Sequence, residues 1–121
     1  MDAKLEKVLV DKYPDLFVDY GGDMGKTCMT WGCAHGDGWF KILEELCEGL
    51  SKIKGVKFTQ IKEKFGGLRV YLNAYNEEAE KLIGIADFKS YHTCELCGEP
   101  GGPTQAGWIR TLCPDCYRKG K

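Results

Sequence analysis

The C-terminal part of the chain carries two Cys-x-x-Cys pairs. Cys94 and Cys97 form the first pair, Cys113 and Cys116 form the second, and fifteen residues separate the two pairs. Four thiolates at this spacing are typical of a closed tetrahedral Zn²⁺ site, in which the metal supports the fold and has no open position for chemistry. Gly98 follows the first pair, where a backbone that bends around a metal favours a residue free to take a positive φ. We therefore predict a structural zinc ion held by all four cysteines.

The segment between the pairs, residues 101–112, predicts a short hairpin, and the second pair opens a short final segment. A knuckle, a hairpin and the start of a helix resemble a treble-clef finger with a truncated helix. A zinc ribbon with two knuckles is the alternative. These features divide the chain into an α+β domain over residues 1–92 and a zinc finger over residues 93–121.

A second set of informative residues is cationic and lies in a predicted hairpin over residues 56–72. Gly66 and Gly67 can take the positive φ values of a two-residue turn, which would place Lys64 opposite Arg69. Alternation along the strands then puts a basic and aromatic set on one face: Lys62, Lys64, Arg69 and Tyr71. Like charges across a ladder repel, so this face favours an anionic partner. We predict that it contacts phosphates, with the tyrosine stacked on a base. The alternative is a solvated face neutralised by acids from the helices.

The opposite face of the same hairpin is apolar and predicts core: Ile61, Phe65, Leu68, Val70 and Leu72. Phe58 is out of phase with this set, so a bulge is expected near Gln60. Helices are expected after the capping residues Asp2, Asp37 and Asn76, the second ending near Lys54. The predicted fold is α+β, with a small antiparallel sheet centred on the hairpin and helices packed on one face, plus a C-terminal treble-clef-like zinc finger.

Three further residues are candidates for the ligand site. Asp37 and Trp39 follow a glycine-rich loop, residues 21–38, at the start of a helix, where free backbone N–H groups favour anions. The alternative is that Asp37 only caps the helix and that Trp39 packs in the core. Arg110 alternates with Trp108 onto one face of the finger hairpin and would extend the basic surface.

Other motifs argue against an enzyme. Residues 21–27 resemble a P-loop, but Tyr20 stands where its first glycine is required, so we predict no nucleotide triphosphatase. No nucleophilic triad and no acid–base carboxylate pair is apparent. The remaining thiols and a histidine match no common zinc spacing and are expected to be buried thiols and a loop histidine: Cys28, Cys33, His35 and Cys47.

Composition indicates an intracellular globular protein. The 121 residues carry a net charge of −1, but residues 52–69 hold six bases and one acid, whereas residues 1–25 hold six acids and three lysines. No export signal and no membrane-spanning run is visible, so we expect a cytoplasmic protein with no membrane partner. The oligomeric state stays open, with a dimer as one option.

Several of these stretches together resemble one family of small proteins encoded by bacteriophages and prophage-bearing bacteria. The stretches are residues 33–40, 62–71, 93–98 and 107–113, which contain the GDGW, KEKFGGLR and Cys-x-x-Cys motifs. The resemblance covers about residues 30–116. It implies a phage context and a host-cell cytoplasmic setting, and it implies no activity.

We therefore expect a non-enzymatic binding protein that captures a phosphate-bearing ligand. In the sharpest form of this hypothesis it sequesters a nucleotide signal of antiviral defence. One alternative is a zinc-finger nucleic-acid-binding regulator that uses the finger and the basic tail, with Arg118, Lys119 and Lys121. Another alternative is an inhibitor that docks on a host protein.

Overall fold

Two of the three long helices begin as the sequence predicts. The structure, a computed structural model, describes residues 1–18, 33–104 and 109–119. Helix α1 (Ala3–Lys12) begins where the Asp2 carboxylate accepts the Lys4 N–H at 2.7 Å. Helix α3 (Glu77–Ser90) begins where the Asn76 amide oxygen accepts the Ala79 N–H at 2.9 Å. Both caps satisfy a backbone donor that the first helical turn leaves unpaired.

The start of the second helix differs from the prediction. A single 3₁₀ turn (Asp37–Trp39) precedes helix α2 (Phe40–Leu50), which ends short of the predicted Lys54. The predicted cap is wrong, because the Asp37 carboxylate makes no capping bond and accepts the Asp2 N–H at 2.6 Å instead. The Gly38 N–H in this turn already donates to the Glu95 carbonyl at 2.6 Å.

The central hairpin forms, but its turn lies one residue earlier than predicted. Strands β2 (Phe58–Lys64) and β3 (Gly67–Leu72) are antiparallel, and the turn residues Phe65 and Gly66 have φ values of 54° and 84°. The predicted pairing of Lys64 with Arg69 is therefore wrong. Lys62 faces Arg69, and Lys64 faces Gly67. Phe65 is consequently exposed rather than part of the core.

Contacts from outside the hairpin account for this register. The Thr111 hydroxyl donates to the Gly66 carbonyl at 2.6 Å, and the Gly66 N–H donates to the Glu63 carboxylate at 2.8 Å. A Cβ at Gly67 would overlap the ring of Tyr91, so the glycine is needed in the strand. The turn therefore uses only one of the two glycines.

The inner face of the hairpin shares one core with the helices. Its side chains Phe58, Ile61, Leu68 and Val70 belong to the same buried cluster as the apolar residues of α2: Ile42, Leu43, Leu46, Cys47 and Leu50. The predicted bulge is confirmed by a register shift between Phe58 and Gln60. Strand β1 (Cys33–Ala34) pairs in parallel with β2, so the sheet has the order β1-β2-β3 and is mixed where an antiparallel sheet was predicted. The α+β class is confirmed.

The C-terminal module contains the predicted second hairpin. Strands β4 (Gly102–Pro103) and β5 (Thr111–Leu112) are antiparallel, and helix α4 (Pro114–Lys119) follows. Within the described ranges, none of the helices combines the length and the apolar character that crossing a bilayer requires. The P-loop-like residues 21–27, Cys28 and Trp108 lie outside the described residues.

Candidate metal centre and binding face

The four predicted cysteines meet at one point. The Sγ atoms of Cys94, Cys97, Cys113 and Cys116 all lie within 4.8 Å of one another, and those of Cys97 and Cys113 are 3.6 Å apart. Tetrahedral zinc with Zn–S bonds of about 2.3 Å requires sulfur atoms roughly 3.8 Å apart. The cluster is therefore compatible with a metal site.

The backbone around each pair explains how the thiols converge. Gly98, at φ 85°, turns the chain so that its N–H donates to the Cys94 carbonyl at 2.9 Å. The Cys94 N–H in turn donates to the Glu99 carbonyl at 2.7 Å. The second pair lies at the start of α4, where the Cys116 N–H points to the Cys113 sulfur at 3.4 Å. These local hydrogen bonds shape the backbone so that the two sulfur atoms within each pair lie close together.

Electrostatics within the cluster favours a cation. Burial raises the pKa of the Cys94 thiol, but backbone N–H groups of Cys113, Cys97 and Leu96 outweigh it and lower the pKa to about 7. Hydrogen bonding with Cys113 and Cys97 raises the pKa of Cys116 to about 12. Like charges cannot all ionise at this separation without a counter-charge. Binding of a divalent cation would therefore displace protons from the cluster.

Glu95, between the first two cysteines, connects the C-terminal module to the start of α2. This glutamate is 5% exposed, and its carboxylate accepts the Gly36 N–H at 2.8 Å. The other carboxylate oxygen lies 3.4 Å from the Arg110 guanidinium. A Cβ at Gly38 would overlap the Cys94 carbonyl oxygen, so the two segments touch through backbone. We call this contact region, formed by Gly36, Gly38, Glu95 and Arg110, the finger junction.

Two aromatic side chains beside the junction are buried. The Trp39 ring is fully buried, and its Nε1 donates to the Thr93 carbonyl at 2.9 Å. A ligand on the surface would not reach it, which matches the alternative reading of Trp39 as a core residue. His35 is also buried, and its Nδ1 donates to the Gly36 carbonyl at 2.8 Å. Its Nε2 has no partner among the described residues, and burial lowers its pKa to about 4.

The outer face of the hairpin pairs lysines with aromatic rings. The Lys62 ammonium lies 5.9 Å from the centre of the Tyr71 ring, and the Lys64 ammonium lies 5.5 Å from the centre of the Phe65 ring. In the described part of the chain, neither ammonium is within ion-pair distance of a carboxylate. We call this surface, formed by Lys62, Lys64, Phe65 and Tyr71, the lysine face.

Arg69 is engaged by α3, unlike the two lysines. Its guanidinium lies 3.7 Å from the Asp87 carboxylate and donates to the Tyr91 hydroxyl at 3.1 Å. Neutralisation by an acid from a helix, the alternative considered for the whole basic face, therefore applies to Arg69. Its charge is less available to a ligand than those of Lys62 and Lys64.

The remaining candidates lie elsewhere. Asp37 lines a cleft of about 830 Å³ between α1, the start of α2, the end of α3 and the metal knuckle. Arg110 is at the finger junction, although its backbone approaches the hairpin turn at Gly66. Of the predicted ligand residues, the structure brings three together on the outer face of the hairpin: Lys62, which is half-buried, and the exposed Lys64 and Tyr71.

Sequence reasoning did not predict where Phe65, Glu95 and Thr111 lie: on the lysine face, at the finger junction and against the hairpin turn. The sequence does contain a signal for Glu95. A carboxylate between two thiolates adds negative charge, which is unfavourable unless a cation or a backbone N–H group lies beside it. Phe65 lies outside the core because the turn begins one residue earlier than the glycine pair predicts. The sequence contains no signal for Thr111, because its hydroxyl contacts Gly66, a residue far away along the chain.

Comparison with family models, with curated proteins and with solved structures finds no match to this chain. Its function must therefore be inferred from the geometry of these two regions.

Proposed function

We propose that this chain is a non-enzymatic binding protein whose lysine face captures a phosphate-bearing ligand, while a structural Zn²⁺ stabilises its C-terminal module. In this proposal Cys94, Cys97, Cys113 and Cys116 hold the metal in a treble-clef-like finger. The lysine face provides the charge and the ring surface for the ligand. Each part rests on a separate observation.

The observation that carries ligand binding is the pair of ammonium groups that have no carboxylate partner among the described residues. Lys62 and Lys64 project from the same face of β2, since they are two residues apart along the strand. Lys62 also faces Arg69, whose charge Asp87 offsets only in part from 3.7 Å, so some positive potential remains there. Charge-assisted hydrogen bonds to phosphate are stronger than neutral ones, and they would relieve this repulsion.

The donor set supports zinc and a structural role for it. Four thiolates are soft ligands, which favour Zn²⁺ over hard cations such as Mg²⁺ and Ca²⁺. Protein sulfur fills every position of a tetrahedron, so no site is left for a water or a substrate. The metal would contribute to folding free energy and not to a reaction.

The resemblance to small phage proteins points to a biological role for the proposed ligand binding. The protein would act in the cytoplasm of an infected cell by sequestering a nucleotide that signals infection. Such a role requires binding without turnover, which agrees with a surface of lysines and aromatic rings and a metal with no open position.

Paired lysine substitutions test the binding site. The double variant Lys62→Ala/Lys64→Ala should weaken binding of ATP at low salt by roughly tenfold or more, because charge-assisted hydrogen bonds contribute about 1.5–3 kcal/mol. Isothermal titration calorimetry measures the affinity. The matched control is Lys52→Ala/Lys54→Ala, which removes two exposed lysines at the same spacing from the turn after α2. Equal affinities for the wild-type protein and the Lys62/Lys64 variant would refute the site.

A further inference from the structure

We infer that the ligand of the lysine face consists of two consecutive nucleotides, whose bases stack on Phe65 and Tyr71 and whose phosphates contact Lys62 and Lys64. This inference rests on the proposed function, and it specifies the class of ligand. It adds Phe65, which the sequence placed in the core, to the residues that contact the ligand.

The first observation is the backbone of Phe65. Its φ of 54° is left-handed, a region that a bulky side chain occupies at a cost in free energy, whereas glycine does so freely. No burial offsets this cost, because 58% of the side chain is exposed. Residues held in such conformations cluster at functional sites. A ring kept at the tip of a hairpin and open to solvent is therefore available to a partner.

The second observation is that a lysine is paired with an aromatic ring twice on this face. One lysine and one ring make each unit, Lys62 with Tyr71 and Lys64 with Phe65. The two lysines are two residues apart on β2, which corresponds to roughly 7 Å along an extended strand. Tyr71 is also exposed, so both rings can accept a stacked base. Two cation–ring units in sequence match the alternation of phosphate and base along a nucleic-acid strand.

The geometry of the face limits the ligand further. Bases stack on protein rings only when their own faces are free, as they are in a single strand and not inside a duplex. A single nucleotide would occupy one of the two units and leave the other empty. The shared chemistry therefore belongs to a free dinucleotide or to two adjacent positions of a longer single strand.

Four probes distinguish these sources: thymidine monophosphate, the dinucleotide pTpT, single-stranded dT12 and a 12-base-pair duplex. Fluorescence anisotropy or calorimetry at low salt should give pTpT at least roughly tenfold tighter binding than the monophosphate, because a second base is stacked. If pTpT and dT12 bind equally per site, the ligand is a small dinucleotide. If dT12 binds more tightly and its affinity falls steeply with salt, the ligand is a single strand. Either result supports two consecutive nucleotides, whereas preference for the duplex would overturn the inference.

The variant Phe65→Gly separates binding from folding. Glycine removes the backbone cost at φ 54°, so the melting temperature should stay the same or rise. The affinity for pTpT should nevertheless fall by roughly tenfold, because one stacking surface is lost. The matched control is Phe88→Ala on α3, which removes a ring of similar exposure, 57%, from another surface. A structural role for Phe65 predicts the reverse, namely lower stability with unchanged affinity.

The outcomes also separate this inference from the proposed function. If Lys62→Ala/Lys64→Ala abolishes binding of the monophosphate, but pTpT binds no more tightly than the monophosphate and Phe65→Gly has no effect, the phosphate site stands and the two-nucleotide inference fails. If none of the four probes binds and ATP does not bind either, both fail.

Discussion

The finger junction and the lysine face treat charge in opposite ways. At the junction, the buried carboxylate of Glu95 meets a backbone N–H and a guanidinium. On the lysine face, two ammonium groups lie beside aromatic rings and have no carboxylate partner in residues 1–18, 33–104 and 109–119, and one of the two lysines faces Arg69. Buried charges without partners are costly, so the junction must be satisfied for the chain to fold. The half-buried Lys62 and the exposed Lys64 are not needed for that purpose.

This difference indicates which region the fold depends on and which one it can do without, as the proposed ligand site would require. Substitutions at the junction or at the metal should lower the free energy of unfolding, because each removes a partner from a buried group. Substitutions on the lysine face should leave it unchanged or raise it, and should instead change affinity. The following predictions test that separation, from the largest expected effect to the smallest.

Removal of a metal ligand should have the largest effect. Cys113→Ser takes away one of four converging thiols, and the bound metal should fall from one ion per chain to a small fraction. Metal binding contributes on the order of 10 kcal/mol to isolated zinc modules, so the free energy of unfolding should drop by several kcal/mol. Native mass spectrometry and urea unfolding, with and without a chelator, measure both quantities. Cys47→Ala, a buried thiol outside the cluster, should keep its metal. Full zinc occupancy in Cys113→Ser would contradict the four-cysteine site.

His35 should make stability depend on pH. Burial lowers its folded-state pKa to about 4 from 6.5, so the folded state keeps the ring neutral. As the pH falls from 6.5 towards 4, His35 binds a proton in the unfolded chain but stays neutral in the folded chain. The free energy of unfolding therefore falls. At about 1.4 kcal/mol per pKa unit, the loss reaches roughly 3 kcal/mol.

The His35→Gln variant removes this dependence. Acid also releases metal from thiolates, so the measured quantity is the difference in unfolding free energy between variant and wild type at each pH. His35→Gln should become more stable relative to the wild type as the pH falls below 6.5. His92→Gln serves as the control, since His92 is exposed. Identical pH profiles for His35→Gln and wild type would exclude the histidine as the cause.

Glu95 should contribute more to stability than its neighbour Glu99. Glu95→Gln leaves the Arg110 guanidinium without a carboxylate at the junction, and the free energy of unfolding should fall by about 1–3 kcal/mol. Glu99→Gln changes an exposed side chain of the same knuckle and should have no measurable effect. Thermal unfolding of the zinc-loaded proteins compares the two. Equal melting temperatures would show that Glu95 does not fasten the junction.

Local signals in the sequence were sufficient for part of this structure. The starts of α1 and α3 follow from Asp2 and Asn76, whose side chains bond to N–H groups only two or three residues away. The cysteine cluster follows from the Cys-x-x-Cys spacing, because one turn of the backbone in each pair brings its two sulfur atoms together. These features depend on few contacts beyond the segment itself.

Features that depend on distant residues were not predictable. The hairpin turn shifted because Thr111 bonds to Gly66 and Tyr91 packs on Gly67. The Asp37 cap does not form because its carboxylate accepts the N–H of Asp2 instead. No local pattern in the sequence distinguishes these arrangements from the ones that were predicted. The same shift moved Phe65 from the core to the surface and so created the lysine face as the structure has it.

The smallest expected effect is a gain in stability. Lys62 faces Arg69 across the ladder, so Lys62→Gln should raise the free energy of unfolding by about 0.2–0.5 kcal/mol through loss of repulsion. Lys64→Gln is the matched control, since Lys64 faces Gly67 and has no such repulsion to lose. Urea unfolding at low and high salt measures the gain, which should disappear at 1 M salt because the Debye length there is only about 3 Å. A gain that persists at high salt would come from strand propensity and not from charge. A gain confined to low salt would mean that the chain keeps Lys62 at a cost to its own stability, as expected of a residue that acts on a ligand.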